Sequence, residues 1–161
     1  MPFSRRLILG ASGSLALPGL LRAQGSAPIR IGEINSYTSN PAFTLPYRNA
    51  MQLAVEGVNA KGGVLGRQLE LITRDDAGRP QDAVRLAGEL VNDQKVDVLA
   101  GAYLSNVGLA LGEYAAQNKK LYVGGEPLTD SMVWEKGNRY TFRLRPSTYM
   151  QAAILAEEAA K

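Results

Sequence analysis

The sequence predicts an α/β fold, a doubly wound parallel sheet with helices on both faces. Three observations carry that reading. Short runs rich in Val, Ile and Leu alternate with segments of helical periodicity from Ile29 onward. The connections between them are of ordinary length. The stretch Val96 to Asn106 shows one whole unit. It has a β-branched run suited to a buried parallel strand and Gly101, where backbone can approach closely. Ser105 and Asn106 follow as candidate caps for the next helix. Such a turn is also an anion cradle by backbone physics, although most helix starts hold no ligand.

In chain order, Ser26 to Pro28 is a short linker and Ile29 to Ile34 alternates as a first strand. Asn35 to Pro46, rich in Ser, Thr, Asn and Pro, reads as a loop. From Tyr47 the spacing is helical, with Ala50, Leu53, Ala54 and Val58 as the stripe, and Gly62-Gly63 ends that helix. Gln68 to Arg74 is a second strand. Pro80 opens a helix whose buried stripe is Ala83, Val84, Ala87, Leu90 and Val91. Val96 to Ala100 is the third strand, and its helix carries Val107, Leu109, Ala110, Leu111 and Tyr114 to about Gln117. Leu121 to Gly124 is a fourth strand, Gly125 to Gly137 a loop with a helical turn, and Tyr140 to Leu144 a fifth strand. The last helix follows Pro146, with Thr148 and Gln151 spaced as a capping box. In an open parallel sheet the ligand edge lies at the carboxyl ends of the strands. Asn35 to Phe43, Gly101 to Ser105, Gly124 to Thr129 and Pro146 to Tyr149 are therefore expected to converge.

The 161 residues suffice for one ordinary domain. Residues 1–23 carry Arg5 and Arg6, then an apolar run from Leu7 to Leu21 broken by small residues and Pro18, then Ala23. That order is a secretory signal peptide, with cleavage as late as Gly25, and residues 24–161 are left as one α/β lobe. Ser4-Arg5-Arg6 suits either a twin-arginine signal or an ordinary basic start. Removing Arg5, Arg6 and Arg22 leaves 15 basic against 15 acidic side chains, which takes away the case for nucleic acid. With no Cys and no His, thiol nucleophiles, His bases, Cys/His metal sites and an N-terminal lipidated cysteine are excluded. Neither metal nor cofactor is expected. The helix from Ser147 to Lys161 stops without a terminating signal, which predicts a piece of a longer chain.

Gly62-Gly63-Val64-Leu65-Gly66 follows a helix and precedes a strand, the reverse of a dinucleotide fingerprint, and reads as a turn. Asp75-Asp76 has no catalytic partner in the sequence and reads as turn or cap. Trp134, Tyr140 and Phe142 are expected in the core. Phe43 stands in a polar loop at the ligand edge, where it either packs under the loop or covers a ligand. Glu126 can meet a ligand cation or face water, and water is the simpler expectation.

These residues together resemble the periplasmic substrate-binding proteins of ABC transporters, in the group of the leucine/isoleucine/valine-binding protein. The resemblance rests on Ile31-Gly32, the block from Val58 to Leu71 with Asp75-Asp76 after it, Gly101-Ala102-Tyr103-Leu104-Ser105, and Phe142-Arg143 with Pro146-Ser147 and Gln151. It implies two α/β lobes closing on a small ligand, of which this chain is most of the first. Ser105 falls on the family's serine for the ligand carboxylate. A second hydroxyl falls near Leu128 or Thr129, with Thr129 favoured because it can donate a hydrogen bond. Phe43 falls at an aromatic position lining the ligand, and Tyr103, Glu126 and Thr148 complete the candidate set. The segment Gly124 to Asp130 is not the serine- and alanine-rich loop of the amino acid receptors, and Thr148 stands where they often have an acid. Both departures weigh against a branched-chain ligand, and the family also takes up amides, urea and aromatic acids.

The function implied is an exported receptor that binds an amino acid, amide or aromatic acid in the periplasm and presents it to a membrane permease without chemistry. Two alternatives are a sensing domain of the same fold in a receptor or regulator and, less favoured, a secreted α/β enzyme. Export predicts that the mature protein, recovered from the periplasm and sequenced from its N-terminus, begins after Ala23 or Gly25.

Overall fold

The computed structural model describes residues 27–161, so the signal peptide expected in residues 1–23 lies outside the described residues. Five parallel strands run β1 Ile29–Asn35, β2 Leu69–Asp75, β3 Val98–Gly101, β4 Leu121–Gly124 and β5 Thr141–Arg143. Four α-helices alternate with them: α1 Pro41–Ala60, α2 Pro80–Asn92, α3 Ser105–Asn118 and α4 Thr148–Ala159. A short 3-10 turn lies at Asp130–Met132. The sheet order is β2-β1-β3-β4-β5. The chain steps one way from β1 to β2 and the other way from β2 to β3. Right-handed crossovers therefore put α1 on one face and α2 with α3 on the other. The predicted α/β class and doubly wound sheet are what the chain adopts.

The apolar core lies on the α2/α3 face, where Ile34, Leu86, Leu90, Val96, Leu99, Val107, Leu111, Tyr122 and Met132 form one buried cluster. Gly32 lets this layer close, since a Cβ there would lie 3.1 Å from both Leu90 and Val96. Leu86 belongs to the α2 stripe in place of the expected Val84, which is exposed. Tyr140 packs at the margin of the cluster, but Trp134 and Phe142 are exposed, against expectation. Phe142 sits on the edge strand β5, in register with Val123 of β4, and is 53% exposed.

The first helix departs most from its sequence reading. It begins at Pro41 rather than Tyr47, so the loop after β1 shrinks to Ser36–Asn40. Pro41 fits the first helical position, where its missing N–H costs nothing, and Pro46 removes a single bond within the helix. Thr44 donates its hydroxyl to the Asn40 carbonyl at 3.0 Å and is buried. The inward face runs through Thr44, Tyr47, Met51, Val55 and Val58, while Leu53 is 70% exposed and Ala50 and Ala54 point outward.

The glycine-rich segment after α1 is a tight turn, as read. Val64 and Arg67 exchange backbone bonds, and Leu65 and Gly66 both take positive φ. Asn59 fixes it to the sheet: its amide donates to the Leu69 carbonyl at 2.8 Å and accepts from the Leu69 N–H at 2.7 Å. Asp75 and Asp76 are turn residues too, accepting from the N–H groups of Ala77 and Gly78.

The two helix caps differ from expectation. Leu104 is the N-cap of α3 and offers no side chain, while Asn106 accepts from the Val107 N–H at 3.0 Å. On α4 the cap is Ser147, not Thr148, and its hydroxyl accepts from Met150 N–H. No described helix is long and apolar enough to cross a membrane.

Truncating Leu90 to Ala, which opens a void against Gly32 and Val96, is expected to cost about 2 to 5 kcal/mol. Leu53→Ser is expected to stay within about 0.5 kcal/mol, because its side chain touches water. Urea unfolding of the two variants checks the assignment of the faces.

Candidate functional site

The reversal of strand order places a crevice between the carboxyl ends of β1 and β3, the position where open α/β sheets bind ligands. Its base is set by backbone. The Ala102 N–H donates to the Ile34 carbonyl at 2.7 Å, which folds the exit of β3 over the end of β1. Gly101 takes φ +106°, and a Cβ there would fall 2.3 Å from the Ile34 carbonyl oxygen and 2.9 Å from a carboxylate oxygen of Glu33. Only glycine fits.

Two aromatic rings bridge the crevice. Phe43, in the first turn of α1, stacks on Tyr103, in the β3–α3 turn, with centroids 5.2 Å apart and planes 16° from parallel. Phe43 is 60% exposed, so of the two readings the structure favours the one in which it stands over the edge rather than under the loop.

Ser105 opens α3 without capping it. Its oxygen instead accepts from the Thr129 N–H at 3.3 Å, which leaves the hydroxyl hydrogen for another acceptor. Ser105 and Thr129 are therefore brought together, through the Thr129 backbone N–H rather than its hydroxyl. Thr129 also accepts, through its carbonyl, from the Arg143 guanidinium at 2.8 Å. Thr148 is a latch, since both its N–H and its hydroxyl donate to the Leu128 carbonyl, at 2.9 and 3.1 Å. Asp130 accepts from the Tyr149 N–H at 3.0 Å and completes the tie between this loop and α4.

Glu126 does not simply face water. One of its oxygens accepts from the buried Asn35 amide at 3.2 Å, and burial raises its carboxyl above the ordinary value against the opposing pull of Asn35 and Arg145.

Behind the crevice lies a polar cluster that the sequence reading missed. Glu33 is fully buried on β1 and accepts from the Tyr37 hydroxyl, while its other oxygen has no protein partner. Arg48 lies over the Tyr37 ring, 4.9 Å from its centroid. Asp76, also buried, accepts from the Ser36 hydroxyl at 2.7 Å and so joins the β1 and β2 loops. Burial pushes the Glu33 carboxyl up to about 7, against hydrogen bonds from Tyr37 and Asn35 that hold it down, with Asp76 and Glu126 adding to the rise. Burial and the Glu33 charge likewise raise the phenols of Tyr37 and Tyr47. The available signal was an acid, Glu33, on the same side of the alternating first strand as Ile29 and Ile31. Among the described residues no group is arranged to hold a metal ion.

A family model described as periplasmic binding protein matches residues 28–161. A Leu/Ile/Val-binding protein of Rhizobium johnstonii is 35% identical over 98 residues, covering 60% of this chain and 26% of that protein. A solute-binding protein of an ABC transporter from Rhodopseudomonas palustris, solved with 3,4-dihydroxybenzoic acid, is 27% identical with a TM-score of 0.67, over 75% of this chain and 32% of that one. The branched-chain amino acid transporter substrate-binding protein of Streptococcus pneumoniae, solved with isoleucine, is 26% identical with a TM-score of 0.69, over 74% and 34%. This chain spans about a quarter to a third of the length of these proteins.

The raised Glu33 carboxyl predicts a pH dependence of stability. Between the ordinary carboxylate value of 4.5 and about 7 the folded chain holds a proton that the unfolded chain has released. Stability from this group is therefore greatest below that window, falls as pH rises through it, and is flat above. The full difference is on the order of 3 kcal/mol. Denaturant unfolding from pH 5 to 8 is expected to show this fall in the wild type and a shallower one in Glu33→Gln.

Proposed function

The chain belongs to the periplasmic binding protein family, and on that premise we propose that it forms the first lobe of an extracytoplasmic receptor for an ABC uptake transporter. The receptor captures a small carboxylate-bearing solute between two lobes in the periplasm and presents it to a membrane permease. It binds without chemistry. One observation carries the reading: at the β1/β3 crevice, Ser105 at the start of α3, with its hydroxyl hydrogen left for another acceptor, stands on the same strand exit as Tyr103, which stacks against exposed Phe43. The N-terminus of a helix with a hydroxyl donor suits a carboxylate, and an aromatic face suits an apolar body. The ligands of the two solved relatives, a dihydroxybenzoic acid and isoleucine, both have that composition. A second lobe also gives a reason for apolar side chains left in water on β5 and α4, namely Phe142, Leu144, Met150, Ile154 and Leu155. α4 buries none of its residues.

A hydrogen bond to a charged group contributes roughly 1.5 to 3 kcal/mol, so Ser105→Ala in the full chain is expected to weaken carboxylate binding about ten- to a hundredfold. If the hydroxyl only tethers Thr129, the substitution costs about 1 kcal/mol of folding stability and leaves the dissociation constant of the folded protein unchanged. Calorimetric titration paired with thermal unfolding separates the two outcomes.

A further inference from the structure

We infer that Glu126 is a specificity-determining residue that selects ligands carrying an O–H or N–H donor in addition to the carboxylate. The inference rests on the receptor reading above. Glu126 leaves β4 through Gly124-Gly125 at the ligand edge of the sheet, and its backbone N–H donates to the Ala102 carbonyl at 3.2 Å. That bond sets Glu126 beside the β3 exit that carries Tyr103 and Ser105.

Its side chain is half-buried and aimed by a residue that has no freedom of its own. Asn35 is fully buried. Its amide oxygen accepts from the Ser36 N–H at 3.0 Å, and its amide nitrogen holds one Glu126 oxygen at 3.2 Å. The second Glu126 oxygen has no hydrogen-bond partner among the described residues and is not buried. A carboxylate is acceptor-only, so a group meeting that oxygen in a closed site must be a donor.

The surroundings sharpen the choice. Glu33 and Tyr47 both feel the charge of Glu126, and among the described residues Arg145 is the cation that bears on it. An apolar or anionic ligand end there would desolvate a carboxylate without replacing its hydrogen bonds, and a phenolic hydroxyl or an ammonium would replace them. Glu126 and Thr129 are three residues apart, a span of at most about 10 Å, so one small solute can meet both ends.

The test is calorimetric titration of the full chain with two matched pairs, 4-hydroxybenzoate against benzoate and isoleucine against 3-methylpentanoate. In the wild type the donor-bearing member of one pair is expected to bind at least tenfold tighter, and the pair that discriminates tells hydroxyaryl acid from amino acid. In Glu126→Gln, which keeps the shape, that ratio is expected to fall several-fold through weakening of the donor-bearing member alone. An unchanged ratio overturns the inference. So does equal weakening of both members, which would mean that Glu126 only offsets the charge of Arg145. Failure of all four carboxylates to bind the folded wild type overturns the receptor reading and this inference with it.

Discussion

The hydrogen bond from the Ala102 N–H to the Ile34 carbonyl is the contact on which the site depends. It can form only because Gly101 adopts a left-handed conformation with no Cβ to strike the same carbonyl. Once made, it turns β3 across the end of β1, presents Tyr103 to Phe43 and starts α3 at Ser105. The next strand repeats the step, with the Gly125 and Glu126 N–H groups reaching the carbonyls of Gly101 and Ala102. Each exit is thus braced on the one before it, and the candidate residues gather although they lie far apart in sequence.

The same close approach creates the least comfortable feature of the lobe. With β1 and β3 drawn together, Glu33 is closed under the crevice with Asp76 and Glu126 nearby and, among the described residues, no cation paired with it. A charge so placed is costly, and the group answers by holding its proton. Asp76 meets the same problem differently, taking the Ser36 hydroxyl and the Gly78 N–H, and with these it fastens the β2 exit to the β1 exit. Glu33, Asn35, Ser36, Thr44 and Asp76 concentrate buried polarity behind the sheet's carboxyl edge, whereas on the α2/α3 face Thr141, against Gly112 of α3, interrupts a layer that is otherwise mostly apolar.

That separation explains how much was legible. Strand order of appearance, the Pro80 helix start, the glycine turn and the roles of Asp75 and Asp76 follow from local chemistry, and local chemistry is written in the sequence. The face of α1 was not legible in the same way. Its inward side carries Thr44, which bonds the Ser36 and Asn40 carbonyls, and Tyr47, whose hydroxyl crowds Gly125, whereas Ala50, Leu53 and Ala54 imitate a buried stripe while facing out. Convergence of the loops that carry Phe43, Tyr103, Ser105 and Thr129 follows from a parallel sheet alone. The particular contacts, Phe43 on Tyr103 and Ser105 with the Thr129 N–H, depend on the 2-1-3-4-5 order, which no residue spacing encodes. Asn35 and Glu33 carried no motif at all and became visible only as buried side chains.

The segment from Leu128 to Asp130 is held from three sides. Its carbonyls at Leu128 and Thr129 accept from Thr148 and Arg143, its Thr129 N–H meets Ser105, and Asp130 holds the Tyr149 N–H. α3, β5 and α4 therefore grip the same three residues. Ordering a flexible loop at the moment of binding would subtract from affinity, and a loop already fixed by its neighbours avoids that cost. Glu126 lies just before this clamp, held by Asn35 instead. Glu126 and the Leu128–Asp130 segment are thus each positioned by neighbouring side chains and backbone, so the receptor proposed above would meet its solute with these groups already in place.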